Sequence, residues 1–384
     1  LKHDFFKIKR LILVDTILSA KSPCDIPLKA DNFLVSNCDV ESWRSNRTKF
    51  VSDSLDHNLF LNQHNPMNQH LAFHRGYIQN CDKKAMIDPG LKDKVVLVTG
   101  GNNPYGIGAA VAKAFAAQSA NSFIHFFRQE IDFRYKDLSN SHSQEPGLGF
   151  FFEQQRKTAD EVVASIRNSG GKADSWEADL RNPENINRLF EKAEKAFGRV
   201  DILVNNAAEY VADTLLPSIT LGKEETLWEG GPTISTIDVE SHDRHFAVNS
   251  RAVAILMSMF VRRVIERQTN WGRIINISAD CAWGCPKEIS YRASKYAMES
   301  FSRSAAAELG PYGITVNVVS PGPVQSGYIS PEMEQALISD IPLRRVGRPK
   351  DIANTVVFLA SEQASWITGQ LIFVHGGHRM ALGQ

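Results

Sequence analysis

The chain has 384 residues, 43% of them hydrophobic, and its 43 basic side chains are matched by 43 acidic ones. That length and apolar content support a large buried core, as one big α/β domain or two smaller ones. The balanced charge lacks the basic excess that nucleic acid or an anionic membrane calls for, and no apolar run reaches the roughly 18 to 20 residues that span a bilayer, so the expected partner is a small molecule.

Residues 1–85 hold a single glycine, Gly76, with eight asparagines and five of the eleven histidines. Their apolar clusters never settle into a helical or strand period. "LILVDTILSA" has the outline of a signal peptide, but Asp15 interrupts an already short apolar segment. Two readings stand for this segment: an irregular extension, disordered or loosely docked, or translated leader upstream of a start at Met86. His57, His64, His70 and His74 fall within it without an accompanying ligand set, so no metal site is expected.

A regular pattern begins after Met86 and defines one expected catalytic domain over 86–384. β-branched runs ("KVVLVTG", "SFIHFF", "VDILVNNAA", "RIINIS", "ITVNVVSPG", "QLIFVHGG") alternate with amphipathic helical stretches. Apolar strands that can be buried on both faces, separated by crossover helices, predict an α/β fold with a doubly wound, mostly parallel sheet. Two stretches, near 129–155 and 210–240, break the rhythm and read as surface insertions.

The first strand runs into "TGGNNPYGIG", residues 99–108, with a helix directly after it. Glycines at a first strand-to-helix turn permit a tight backbone, close approach of a pyrophosphate, and helix N–H groups aimed at the anion. About twenty residues further on, where a ribose-reading residue stands in this architecture, is Arg128. A guanidinium fork there favours a 2′-phosphate and therefore NADPH. Glu130, close by, could instead contact a free ribose diol, leaving NADH possible.

Beyond the sheet's midpoint, "SADCAWGCPKEISYRASK" (278–295) places Tyr291 four residues before Lys295. On a helix the two share a face, where an ammonium lowers the phenol's pKa from about 10 and fits it for proton transfer near neutrality. Ser278 ends a strand, where it could hydrogen-bond a substrate oxygen.

Taken together, "TGGNNPYGIG", "NNAA" (205–208), "YRASK" (291–295) and "SPGPVQS" (320–326) resemble, in order, the motifs of the short-chain dehydrogenase/reductase family, over residues 94–378. The resemblance implies a Rossmann-type sheet in a three-layer α/β/α sandwich, a nicotinamide cofactor, and a catalytic group of Asn249, Ser278, Tyr291 and Lys295, with Asn249 holding a water that links Lys295 to solvent. It assigns cofactor contacts to Gly100, Tyr105, Gly106, Ile107 and Gly108, to Asp179 and Leu180, to Asn206 and Ala207, and to Pro321, Gly322, Val324 and Ser326, besides Arg128, Tyr291 and Lys295. A homodimer or homotetramer is the corresponding expectation.

The sequence departs from that pattern in five places. Two extra residues near Asn103 and Pro104 lengthen the glycine loop, Ala208 replaces a glycine, Ser326 replaces a threonine but keeps the hydroxyl, and His375 replaces an aspartate. The fifth concerns the serine. Counted back from Tyr291 it is Ser278; counted forward from "GRIINIS" its position falls on Ala279, which leaves open a site with no serine. Cys281 and Cys285, in the same loop, read as small packing residues or as a redox-sensitive pair. The five cysteines, an odd number outside a small secreted framework, are expected as reduced thiols in a cytoplasmic compartment.

Residues 324–345 read as an apolar lid, with Tyr328, Ile329, Met333, Leu337 and Ile338, compatible with an acyl chain or a hydrophobic ketone. The family resemblance is nearest to 3-oxoacyl-[acyl-carrier-protein] reductases. The expected activity is an NAD(P)H-dependent carbonyl reductase acting on a carbonyl or alcohol; the alternative is a catalytically weak dinucleotide sensor or scaffold on the same fold. A trans-enoyl reductase fits less well, because its tyrosine and lysine are usually more widely spaced.

Overall fold

The computed structural model describes residues 88–128, 144–217, 226–227 and 232–378. The irregular segment 1–85 and parts of the two expected insertions lie outside the described residues. Along the chain run β1 (Val95–Thr99), α1 (Ile107–Ala116), β2 (Asn121–Phe126), α2 (Leu148–Gln155), α3 (Asp160–Asn168), β3 (Lys172–Glu177), α4 (Pro183–Phe197) and β4 (Ile202–Asn205). Two short strands, β5 (Asp213–Thr214) and β6 (Ser235–Thr236), precede α5 (Val239–Phe246) and α6 (Val253–Glu266), which are joined by a π-helical turn over Ala247–Ala252. The chain continues through β7 (Gly272–Ile277), α7 (Ile289–Leu309), β8 (Ile314–Pro321), α8 (Pro331–Ile338), α9 (Pro349–Ala360) and β9 (Leu371–Val374).

Seven strands form one parallel sheet in the order β3-β2-β1-β4-β7-β8-β9. Alternation within single strands explains the two-sided burial. In β1, Val96 and Val98 join one apolar cluster with Val111, Phe115 and Val356, from α1 and α9, while Val95 and Leu97 join the opposite cluster with Leu189, Leu256 and Met298, from α4, α6 and α7. Both faces are therefore covered by helices, as a parallel sheet requires. The expected doubly wound, Rossmann-type three-layer sandwich is what the structure shows.

Chain order reverses between β1 and β4. The crossovers leave this point in opposite directions, so a crevice opens beyond the strands' carboxyl ends. The second irregular stretch folds back there, pairing β5 with β6. The described part of the first one contributes more than surface: Asn102 Nδ2 donates to the carbonyls of Gln155 and Lys157 at 2.8 and 2.9 Å, and so fastens the end of α2 to the glycine loop. Among the described residues no helix is long and apolar enough to cross a membrane, and no group of three or more potential ligands is placed to hold a metal.

Candidate active site

The crevice is a cleft of about 2200 Å³. Typical small-ligand pockets hold about 300–1,000 Å³, so this one has room for a dinucleotide and a second molecule. Its walls bring together Gly100, Gly106 and Ile107 from the glycine loop, Asn206 and Ala207 from the end of β4, and Pro321, Gly322, Val324 and Ser326 after β8. Gly108 and Tyr105 do not line it: Gly108 is buried against the Gly100 carbonyl, and Tyr105 is exposed, packing its ring edge-on against Phe150 at 5.2 Å.

The glycines are held to backbone closeness. Gly100 has φ +72°, and a Cβ there would fall 2.8 Å from Ala207 Cα; one on Gly108 would fall 2.3 Å from the Gly100 carbonyl oxygen. α1 starts with no side-chain cap and no acidic residue in its first turn, so its leading N–H groups remain available to an anion. Asn206 locks the arrangement, donating from Nδ2 to the carbonyls of Thr99 and Gly100 at 2.9 and 2.8 Å. The lengthened loop is stiffened rather than slack, because Asn103 Nδ2 donates to the Ser326 carbonyl at 3.0 Å and its Oδ1 accepts from the Tyr105 N–H. His375 packs on the bare face of Gly322, a role in packing.

At the ends of β2 and β3, Arg128 lies on the cleft but already forks onto Glu177, with Nη2 2.7 Å from Oε2 and Nε 2.9 Å from Oε1. Glu177 was not foreseen from sequence, since only the pairing of β2 with β3 brings it beside Arg128. Asp179 and Leu180 follow on the same wall. Burial pushes the Asp179 carboxyl up, but hydrogen bonds from Arg181 outweigh it and leave the group below the usual carboxylate range. Burial also drives the His125 imidazole down to about 4, so that ring is neutral.

Tyr291 and Lys295 occupy adjacent turns of α7 and face the cleft. Lys295 Nζ donates to the Ile277 carbonyl at 2.8 Å and lies 5.9 Å from the centre of the Tyr291 ring. The expected acidification of the phenol by this ammonium is not the outcome. Burial pushes Tyr291 up to about 12, and burial likewise brings Lys295 down to about 8. Desolvation, which disfavours both charged forms, wins over a cation that distant.

Asn249 sits in the π-helical turn, fully buried, one layer behind the cleft wall. Its Oδ1 accepts from the Glu209 N–H, and its Nδ2 donates to the Glu209 carbonyl and to Ser294 Oγ, which in turn donates to the Tyr291 carbonyl at 2.7 Å. Ser278 lines the cleft just past β7, but its Oγ donates to Glu299 Oε1 at 2.5 Å. Glu299 is one helical turn beyond Lys295, and its burial raises the carboxyl. Ala279, the competing position, also lines the cleft and brings no hydroxyl.

Around Tyr291 the lid residue Tyr328, expected from sequence, is joined by two side chains that sequence reasoning missed, Tyr210 and Phe151. Tyr210 meets its ring edge-on at 4.9 Å, Tyr328 stands 6.1 Å from Tyr210, and Phe151 of α2 lies 5.2 Å from Tyr328. The run of three phenylalanines in α2 was the available signal. Arg292, between the two motif residues, is buried against Glu288 and Asp280. Cys281 is buried in the loop below, and Cys285 borders the cleft.

A family model described as enoyl-(acyl carrier protein) reductase matches residues 141–379. Among curated proteins the chain is 32% identical over 287 residues to an uncharacterized oxidoreductase, YjdA, of Bacillus subtilis, an alignment covering 74% of this chain and 97% of that one. It is 31% identical to the 3-oxoacyl-[acyl-carrier-protein] reductase FabG of Aquifex aeolicus, covering 75% of this chain and 98% of the relative. Among solved structures, a dehydrogenase/reductase from Sinorhizobium meliloti superposes with a TM-score of 0.58 at 29% identity, covering 76% of this chain and 98% of that one. A short-chain dehydrogenase/reductase from Serratia marcescens gives 0.56 at 29% identity, covering 75% and 98%. Motif order, sheet topology and these matches agree, and the chain belongs to the short-chain dehydrogenase/reductase family, whose enzymes are NAD(P)-dependent oxidoreductases.

Proposed function

We propose that this enzyme is an NADPH-dependent carbonyl reductase acting on a 3-oxoacyl thioester or another hydrophobic ketone. The observation that carries the reading is that one cleft holds both the glycine cradle with its uncapped helix and the Tyr291–Lys295 face. The cradle fits a dinucleotide: a Cβ at Gly100 or Gly108 would fill the space, and the α1 N–H groups supply the anion's hydrogen bonds. Residues of the loop and of the segment after β8 would hold the phosphates and carboxamide, with Asp179 and Leu180 at the adenine end. Arg128 supports NADPH over NADH, because an exposed pair with Glu177 is a weak competitor for a doubly charged phosphate.

A nicotinamide held there would supply the hydride that the carbonyl carbon takes up. Tyr291 gives its proton to the carbonyl oxygen as charge develops on it; a phenol held up to about 12 stays protonated at neutral pH and so arrives as the acid. Lys295, low enough at about 8 to change charge near neutrality, stands on the same face to restore the proton. Ser278 hydrogen-bonds the substrate oxygen by turning its hydroxyl off Glu299. Asn249 holds the π-helical turn against α7 through Ser294. The aromatic wall of Phe151, Tyr210 and Tyr328, with the lid helix α8, favours an apolar substrate.

The single catalytic domain over 86–384, the homodimer or homotetramer and the cytoplasmic site belong to this proposal too. Its test is NADPH oxidation across 3-oxoacyl thioesters, simple ketones and quinones. Turnover that disappears in Tyr291→Phe is expected; an absence of turnover with either nicotinamide, in either direction, would overturn the reading.

A further inference from the structure

We infer that Arg292, the residue after the proposed proton donor, is a positioning residue of the reaction: its buried guanidinium is a second cation that stabilises ionised Tyr291 while pinning the 280–288 loop to α7. The inference rests on the reading of Tyr291 as the proton donor.

The geometry is specific. The Arg292 side chain is only 10% exposed. Nε and Nη2 both reach Glu288 Oε2, at 3.0 and 2.5 Å, while Nη1 donates to the Asp280 carbonyl and stands 3.5 Å from its Oδ1. Asp280 is held from its other side by His378, whose Nδ1 is 2.7 Å from Oδ2. One guanidinium thus joins the start of α7, the loop after β7 and the C-terminal segment after β9. Its Cζ is 5.4 Å from the centre of the Tyr291 ring, nearer than the 5.9 Å of Lys295 Nζ.

A loop can be braced without buried charge, and burying three ionised groups is costly unless they do something an apolar contact cannot. What a cation near a phenol does is favour phenolate. The groups facing Tyr291 divide by sign. Arg292 lowers its pKa, Glu288 and Asp280 raise it, and burial is the largest effect, also upward. The other elements packed against it bring Tyr210, whose phenol burial raises, with Tyr328 behind it, and His245 of α5, 6.4 Å away, whose imidazole burial lowers. Among these groups Arg292 is the cation nearest the ring that cannot lose its proton at working pH.

The test follows kcat/KM for alcohol oxidation against pH, together with the ultraviolet titration of the phenolate obtained by difference from Tyr291→Phe. Arg292→Gln should move the midpoint up, by about one pH unit, with about tenfold less activity at neutral pH recovered at high pH. Glu288→Gln should move it down. Arg292→Lys, which keeps the charge and loses the fork, should restore the wild-type midpoint. Midpoints that shift in the same direction in both Gln variants, or an unmoved midpoint with activity lost equally at every pH, would overturn the inference and leave a brace. If Arg292→Gln does not fold, Glu288→Gln decides alone, since a midpoint unchanged or raised there has the same force. Turnover retained in Tyr291→Phe would instead remove the reading of Tyr291, a result separable from failure of the arginine variants.

Discussion

Ser278 and Glu299 share a hydrogen bond of 2.5 Å between a strand end and the inner face of α7, and it commits the serine's one proton to a carboxylate rather than to the cleft. A hydroxyl has a single hydrogen to give. Helping a substrate oxygen therefore requires breaking a charge-assisted bond first, which reduces the net gain.

Ser278→Ala is accordingly expected to lower kcat by about tenfold, well short of the loss from removing Tyr291. Steady-state rates on the best ketone check this. Full activity would show that Ala279 stands at the position the reaction uses and that no serine takes part.

The same pair has a pH signature. Burial raises Glu299 in the folded chain above its value in the unfolded chain, so folding binds a proton in the window just above the ordinary carboxylate range. Stability contributed by the protonated form is complete below the unfolded value and is lost as pH rises through the folded one. Glu299→Gln keeps the shape, and its side-chain oxygen still accepts from Ser278. Its melting temperature should match wild type near pH 4 to 5 and exceed it by about 2 °C at pH 8. A mutant that melts lower at pH 8 would mean that the ionised carboxylate, paired at a distance with Lys295, is worth more than its burial costs.

These relations mark where the sequence stops being legible. Short, nearly continuous apolar runs such as "VVLVT" announce strands buried on both faces, and the motifs fall in chain order along the sheet, although "RIINI" also carries Arg273 and Asn276 into the interior. Tyr291 and Lys295 were readable because helix geometry alone brings residues four apart together. The direction of the Ser278 hydroxyl depends on a residue 21 positions away on another element, and the partner of Arg128 lies 49 positions away on a neighbouring strand. Neither leaves a local pattern. The phenol's pKa was misjudged for a related reason: spacing shows that an ammonium is near, but only burial tells how much charge the surroundings tolerate.

Tyr291→Phe keeps the ring and its edge-on contact with Tyr210 while removing the proposed acid. Dinucleotide binding, followed by fluorescence, should remain within about twofold, and kcat should fall by about 100-fold or more. Loss of binding in proportion to rate would assign the phenol to holding the cofactor instead.

α2 makes a different kind of prediction. Phe151 stacks edge-on with Tyr328 and borders the cleft, far along the chain from the proton-transfer group. Phe151→Ala should raise KM for a long-chain or bulky ketone about tenfold, with kcat changed little, since truncating an apolar wall removes binding common to ground and transition states. A fall in kcat with KM unchanged would show that α2 orders the reacting geometry rather than the substrate's apolar body.

Cofactor choice turns on two charges, Arg128 and Glu177. The fork uses Nε and Nη2 of Arg128, so Nη1 remains directed away from Glu177 for a 2′-phosphate, while the nearby carboxylate opposes that phosphate. Arg128→Asp removes the cation, repels the phosphate and presents a carboxylate suited to a ribose diol. The ratio of kcat/KM with NADPH to that with NADH should fall at least tenfold, mainly through weaker NADPH binding, which corresponds to about 1.4 kcal/mol in the free energy of discrimination. Glu177→Gln should shift the ratio the opposite way, since it frees the guanidinium without altering its position. Measuring both cofactors on wild type and both variants separates the possibilities. A ratio that Arg128→Asp leaves unchanged would mean that the guanidinium serves only its partner on β3, and discrimination would then have to reside in the Asn102–Asn103 loop.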